Sequence, residues 1–285
     1  MKRLYKHYFH CSIIILFLVM SCVSTTKTDV ENNDKIVLPE QSECLLLIEV
    51  GVLPEKSSLF VDRFGKASLL IDSLIYPLEK EKTDSLPTFL IHFYDSTVPK
   101  NICCFDDGAI WFTEGEYLCR LQENKKDTII NLPFKDIHIS GTEDGIYLSS
   151  FNEEDNIYNL FFVDKNNNEI HKLLSSTSPL RAIGTGNSTI VAADSTVYLL
   201  ENNTTFSLFK TTECILHLAF APDGIFYATE NNVGYFDPKI NIIILEKPVR
   251  DMLSFGNELY LLLKDGSLYK ITNTEYFKEL SNIIK

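Results

Sequence analysis

Four basic side chains occupy equivalent positions of a repeated sequence pattern, where they could together bind an anion. Each repeat starts at a proline, or at Glu213, just before a short apolar strand. The residues two positions later are Lys56, Asn101, Lys135, Arg181, Ile215 and Arg250. If these strands surround one axis, the basic members Lys56, Lys135, Arg181 and Arg250 form a candidate anion-binding ring for a carboxylate, a phosphate or an acidic sugar. Alternatively, Asp136 and Asp251, each one residue further on, neutralise their neighbours.

Two histidines fall on the first strands of two repeats that are separated by one other repeat. His138 lies five residues after Pro133 and His217 lies four residues after Glu213. Imidazoles that converge could bind a metal or exchange protons. Because side chains alternate along a strand, this offset predicts that the two histidines point to opposite faces. The count therefore favours structural histidines.

The acidic stretch "DDGAIWFTEGEYLCRL", residues 106–121, could be a catalytic or metal-binding loop. Its first half recurs as "DGIYLSS" at 144 and "DGIFYATE" at 223, where Asp-Gly forms a turn before a strand. The acidic residues therefore read as turn chemistry and solvated loops. We predict no catalytic residue, no metal and no cofactor here.

The repeat itself predicts the architecture. Prolines 54, 99, 133, 179 and 248, with Glu213, divide the chain into six units of 34 to 46 residues, each with four apolar strands. No stretch between residues 44 and 270 shows sustained helical periodicity. The pattern predicts an all-β fold, a six-bladed β-propeller with four-stranded antiparallel blades. The expected blades are about 54–98, 99–132, 133–178, 179–212, 213–247 and 248–285 of a single domain, 43–285, with strand 44–50 closing the last blade.

The N-terminus reads as an export signal. A basic start, an apolar run from Ile13 to Met20 and then Ser21-Cys22 resemble the lipobox of bacterial lipoproteins. The resemblance implies a signal peptide over 1–21, diacylation of Cys22 and a flexible tether over 22–42. The expected location is the bacterial cell envelope, lipid-anchored at the outer membrane, facing either side. An uncleaved signal anchor or an ordinary secreted protein is the alternative.

The net charge limits the class of partner, and the cysteine spacing limits the kinds of cysteine site. Removing the signal takes away three basic residues and no acidic one, which leaves 23 basic against 39 acidic residues, a net charge of −16. Nucleic acid is therefore excluded as a partner.

The five cysteines Cys44, Cys103, Cys104, Cys119 and Cys214 show no C-x-x-C spacing, so they form one disulfide or remain buried free thiols.

Two segments carry a family resemblance. "DDGAIWFTEGEYLCRL" and "APDGIFYATENNVGYFDP" resemble blades of the group that includes NHL-repeat proteins, streptogramin-inactivating lyases and SMP-30-type lactonases. The likeness covers most of residues 54–280 as architecture. The glutamate motif of the lactonases has no match, and no His and Glu pair matches the lyases, so the resemblance implies a fold and no activity.

The expected function is a non-catalytic module that binds a protein or a glycan while the lipid on Cys22 holds it at the membrane. Six tyrosines at blade edges could contribute to contact, although most of them are expected to pack between blades: Tyr147, Tyr158, Tyr198, Tyr227, Tyr235 and Tyr260. A hydrolase or lyase at the channel mouth, which would need inward carboxylates or histidines at one depth, and a small-anion sensor are the alternatives. Asp-Ser and Asp-Thr tripeptides resemble the O-glycosylation signal of Bacteroidota envelope proteins, with Ser85 and Thr128 as candidates in exposed loops.

Overall fold

Short runs of β-branched and aromatic residues, separated by turn formers, produce a fold made of strands. A computed structural model describes residues 46–54, 57–61, 66–71, 74–78, 89–90, 101–105, 107–115, 117–123, 125–131, 135–185, 188–201, 204–272, 274 and 276–277. Within these ranges the chain forms 24 strands, β1 to β24, and helical geometry only at 276–277. The all-β fold predicted from the repeat is confirmed.

The strands form six four-stranded antiparallel sheets, each a blade. Blade one contains β2 (Ser57–Val61), β3 (Ala67–Ile71), β4 (Leu74–Pro77) and β5 (Phe89–Leu90). Blade two contains β6 (Ile102–Cys104), β7 (Ile110–Glu114), β8 (Tyr117–Gln122) and β9 (Lys125–Asn131). Blade three contains β10 (Lys135–Gly141), β11 (Gly145–Asn152), β12 (Ile157–Asp164) and β13 (Ile170–Ser176).

The second half of the chain repeats this order. Blade four contains β14 (Leu180–Thr185), β15 (Ser188–Ala193), β16 (Thr196–Glu201) and β17 (Thr204–Lys210). Blade five contains β18 (His217–Phe220), β19 (Ile225–Ala228), β20 (Val233–Phe236) and β21 (Asn241–Leu245). Blade six contains β22 (Val249–Phe255), β23 (Glu258–Leu263), β24 (Ser267–Thr272) and, from the other end of the chain, β1 (Leu46–Val52).

Strand β1 is the outer strand of blade six. It pairs antiparallel with β24, from Leu46 opposite Thr272 to Val52 opposite Ser267, with a bulge between Glu49 and Gly51. The hydrogen bond from the Leu53 amide to the Gly266 carbonyl, 2.8 Å long, continues this pairing. The two ends of the propeller are thus joined within one sheet.

The core lies between blades, because each sheet is apolar on both faces. Trp111, Leu118, Leu148 and Val163 are fully buried together where blade two packs on blade three. Equivalent clusters follow around the ring. Phe277, also fully buried, stacks on Tyr235 with 5.0 Å between ring centroids. Each blade is therefore held by both of its neighbours.

Most of the tyrosines expected at contact surfaces belong to this core. Tyr147, Tyr227, Tyr235 and Tyr260 are buried, while Tyr158 and Tyr198 are partly buried. The Tyr147 hydroxyl bonds to Thr189 Oγ1 at 2.8 Å, and its ring lies where a side chain on Gly184 would be. These four tyrosines pack blades together and do not form a contact surface.

Candidate functional site in the central cavity

The first strands of all six blades surround a central cavity of about 480 Å³. These strands are β2, β6, β10, β14, β18 and β22. The polar lining residues include one on the inner strand of each of the consecutive blades three to six: His138, Arg181, His217 and Asp251. The strands of blades one and two contribute mainly apolar side chains, among them Leu59, Val61 and Ile102. The titratable side chains of the inner strands therefore lie on blades three to six, and the wall formed by blades one and two is mainly apolar.

The two histidines occupy equivalent positions, which corrects the expectation that they point to opposite faces. His138 pairs with Ser149, four residues after Gly145, and His217 pairs with Ala228, four residues after Gly224. The count from the sequence was wrong because β10 contains a bulge. Three residues from Lys135 to His138 advance along β10 while only two advance from Ser149 to Phe151 on β11. One extra residue reverses the alternation of side chains.

A second bulge decides which residue of β22 lines the cavity. Val249 pairs with Leu263 and Asp251 with the next residue, Leu262, so Arg250 is the extra residue of this strand. Asp251 lines the cavity, whereas Arg250 is not among its lining residues. The Arg250 guanidinium instead donates to the Pro54 carbonyl at 2.9 Å and to Ser57 Oγ at 2.7 Å. Counting a fixed number of residues from each proline therefore selects some residues that line the cavity and some that do not.

Polar residues near the start of the inner strands bond to the backbone of the next blade. Asn101 Nδ2 donates to the Ile137 carbonyl at 2.8 Å, from blade two to blade three. Arg181 Nε donates to the Leu216 carbonyl at 2.9 Å, from blade four to blade five. Between blades six and one the direction is reversed, because the Leu59 amide donates to Asp251 Oδ2 at 2.7 Å.

Burial shifts the pKa values of the titratable groups in the cavity. Burial, and then the positive charge of Arg181, lower the pKa of His217 to about 4 and hold the pKa of His138 well below its usual value. Both imidazoles are therefore neutral at physiological pH. Burial raises the pKa of Asp251 to about 6, although the amides of Leu59 and Met252 donate to its carboxylate. In the part of the chain that the structure describes, no group of three or more His, Cys, Asp or Glu could hold a metal ion.

The predicted basic ring is only partly covered by the structure. Lys56 lies outside the described residues, and Lys135 begins β10 with a side chain that is not described. Arg181 and Arg250 both reach towards the next blade, but only Arg181 lines the cavity. Anion binding by all four residues stays a prediction.

The described acidic side chains of the stretch in blade two stabilise a turn and pair with basic residues on neighbouring strands. Asp107 Oδ1 accepts the Ala109 amide at 2.9 Å, and its Oδ2 lies 3.4 Å from an Arg120 nitrogen. Glu114 forms an ion pair with Lys126 on the fourth strand of the same blade. Asp106 lies outside the described residues.

The other predicted sites are only partly covered by the structure. Thr128 is exposed, but it lies within strand β9 and not in a loop. Ser85 and Cys22 lie outside the described residues, as does Cys44. The cysteines that the structure describes, Cys103, Cys104, Cys119 and Cys214, are free thiols. No helix among the described residues is long and apolar enough to cross a membrane.

Comparison with known proteins supports the fold and does not assign an activity. No protein-family model and no curated protein sequence matches the chain. A presumed gluconolactonase is similar in structure, with a TM-score of 0.61 and 8% identity over 80% of this chain and 92% of that one. A gluconolactonase from Xanthomonas campestris matches with a TM-score of 0.55 and 9% identity over 79% and 89% of the two chains. Virginiamycin B lyase from Staphylococcus aureus matches with a TM-score of 0.51 and 12% identity over 80% and 99%.

These identities are too low to transfer an activity. A chain in a structure of the mitotic checkpoint complex is also similar, with a TM-score of 0.54 and 10% identity over 88% of this chain and 99% of that one. Lactonases, a lyase and a chain of a protein complex are thus all similar in fold to this chain. Function has to be argued from its own residues.

Proposed function

We propose that the chain is a lipid-anchored propeller of the bacterial cell envelope that binds a protein or glycan partner and carries out no chemistry. The observation that carries the proposal is that polar side chains near the channel form hydrogen bonds to the backbone of the neighbouring blade. Asn101, Arg181 and Asp251 each bond to the backbone of the next blade. Side chains held in this way stiffen the ring of blades. A rigid disc presents its outer surface to a partner with little loss of conformational entropy.

Exposed apolar side chains on the outer strands support a contact surface. Ile170 on β13 is 47% exposed and Phe206 on β17 is 52% exposed. Both residues belong to fourth strands, and blades three and four are neighbours. Aromatic and aliphatic side chains of this kind are enriched in the cores of interfaces. The rims of blades three and four are therefore the surface to test first.

The test is purification of the tagged, full-length protein from its native envelope in mild detergent, followed by mass spectrometry. We expect one protein in near-stoichiometric amount, lost with Cys22→Ala because the anchor is missing. An Ile170→Ser, Phe206→Ser double variant should also lose it, whereas Tyr117→Ser, an exposed aromatic on blade two, should retain it. A glycan partner would appear instead as binding to envelope polysaccharide on an array. Absence of both, with the anchor intact, would overturn the proposal.

A hydrolase or lyase is the second candidate, and one observation favours it. His138 and His217 lie at one register position and line the same cavity, both neutral and thus able to accept a proton. Because the similar structures include gluconolactonases and a lyase, the assay should measure opening of gluconolactone and of virginiamycin B. Turnover that disappears in a His138→Gln, His217→Gln double variant and survives in Arg250→Gln would favour this candidate. No turnover would favour the binding module.

A further inference from the structure

The geometry points to the central cavity as a binding site for a small organic monoanion, a carboxylate with an apolar body. This site is separate from the rim proposed for a macromolecular partner, and neither depends on the other. Its polar part consists of His138, Arg181 and His217, on the inner strands of three consecutive blades. The apolar body would lie against Leu59 and Val61 on the other side of the cavity.

The three polar residues form one electrostatic group. His138 and His217 are at the same register position on blades three and five, and Arg181 comes from blade four between them. The charge of Arg181 acts on both imidazoles, and His217 acts on His138. A neutral imidazole keeps one N–H donor, which a carboxylate can accept. The group thus combines a full positive charge with two neutral donors.

The charges around the cavity select a monoanion. Its described charged lining residues are Arg181, Lys165, Glu143 and Asp251. Lys165 and Glu143 lie in turns, and the Lys165 ammonium sits 5.4 Å from the centre of the Phe105 ring. Arg181 is therefore the cation beside the histidines. A dianion such as sulfate would be repelled more strongly than a monoanion by Asp251, which also lines the cavity.

The size and polarity of the cavity select a body with apolar surface. A volume of about 480 Å³ is within the range of sites for small molecules, roughly 300–1,000 Å³. Burying apolar ligand surface against the aliphatic residues of blades one and two contributes about 25 cal/mol per Å². Medium-sized carboxylates such as benzoate or hexanoate fit this description, whereas acetate is too small to contact the aliphatic residues of blades one and two as well.

Proton linkage should strengthen binding on acidification. Asp251 lines the cavity, accepts the Leu59 and Met252 amides and has a pKa raised to about 6, so its negative charge disappears as the pH falls below that value. The groups that face the histidines are Arg181, Lys264 and the other histidine, all of which act against their protonation. A bound anion would favour protonation. Both effects predict higher affinity at pH 5 than at pH 7.

The experiment is isothermal titration of the purified full-length protein, in mild detergent, with benzoate and hexanoate at pH 5 and pH 7. Benzyl alcohol, a neutral compound of similar shape, and inorganic sulfate, a dianion at both pH values, are the ligand controls. Arg181→Gln should weaken benzoate binding by about tenfold or more, the effect expected for losing a charged partner. Arg250→Gln is the matched control, because it also removes a guanidinium that bonds to the next blade but does not line the cavity. It should leave the affinity within about twofold.

Several results would overturn the inference. It is contradicted if neither carboxylate binds. It is also contradicted if benzyl alcohol or sulfate binds as tightly as benzoate, or if the two arginine variants lose affinity equally. If Arg181→Gln does not fold, His217→Leu, which removes one donor, should weaken benzoate binding several-fold. Unchanged affinity in that variant would be equally decisive. Partner capture by the anchored protein is measured separately, so failure of one proposal leaves the other standing.

Discussion

At the scale of single residues, burial has opposite effects on the two kinds of titratable group in the cavity. It disfavours charge, so it lowers the pKa of His217 to about 4 and raises the pKa of Asp251 to about 6. His138 is shifted in the same direction as His217. The stability of the protein should therefore depend on pH through groups that oppose each other.

Acidification from pH 7 to pH 5 should destabilise the protein. The unfolded chain protonates its histidines near pH 6.5 while folded His138 and His217 stay neutral, so the unfolded state takes up more protons and stability falls. Asp251 acts the other way, since its folded form takes up a proton below pH 6 and its unfolded form only near 3.8. Two histidines outweigh one carboxyl, and the net loss should be on the order of 2 kcal/mol in urea unfolding.

The His138→Gln, His217→Gln double variant tests whether the two histidines cause this loss of stability. Without the histidines, Asp251 remains, and the same acidification should stabilise the protein by about 1 kcal/mol. Glu213 and Glu258, whose pKa values are lowered, titrate below this window and do not contribute. A variant that still loses stability on acidification would show that the histidines are not buried as neutral groups.

At the scale of elements, hydrogen bonds from one inner strand to the next join the blades. Asn101 is the neutral example, because its amide donates to the Ile137 carbonyl at 2.8 Å and lies 3.3 Å from Thr113 Oγ1. Asn101→Ala should reduce the free energy of unfolding by about 1–2 kcal/mol, since the Ile137 carbonyl loses its side-chain donor. Asn101→Asp should cost more, because a carboxylate would face that carbonyl.

Urea unfolding of both variants checks this prediction, with Asn131→Ala as the control. Asn131 is exposed on the outer strand β9, so its loss should change stability by less than about 0.5 kcal/mol. Equal stability of Asn101→Ala and the control would mean that the bond to Ile137 adds nothing to the joining of blades two and three.

The sequence predicted the blades more reliably than the site, and strand geometry explains the difference. A turn former, Asp-Gly in three of the six units, precedes the second strand of each unit, and short apolar strands repeat in every unit, so the strands and the six-bladed fold follow from pattern alone. The site depends on bulges near Lys135 and Arg250, each of which adds one residue to an inner strand. No residue type requires a bulge there, so counting from the prolines placed the histidines apart and favoured Arg250 over Asp251.

At the scale of the whole molecule, the ring closes in one sheet built from both ends of the chain. Strand β1 covers the outer edge of β24, whose Leu268 and Ile271 are buried. The inner contacts of blades six and one, from Arg250 to Pro54 and from Leu59 to Asp251, are independent of β1. Closure therefore has an inner and an outer part that a truncation can separate.

Deleting residues 23–52 removes the outer part alone, and we expect two consequences. The melting temperature should fall by about 10 °C, because a few kcal/mol of strand pairing are lost in a domain of this size. The uncovered β24 should also pair with other molecules, so light scattering should detect dimers or aggregates. Deleting only 23–36, which keeps β1, is the control and should change neither property. A peptide of residues 43–54 added to the longer truncation should restore the melting temperature and the monomer, because it can occupy the β24 edge. If the longer truncation melts like the control, the inner contacts alone close the ring, and β1 serves to protect an edge.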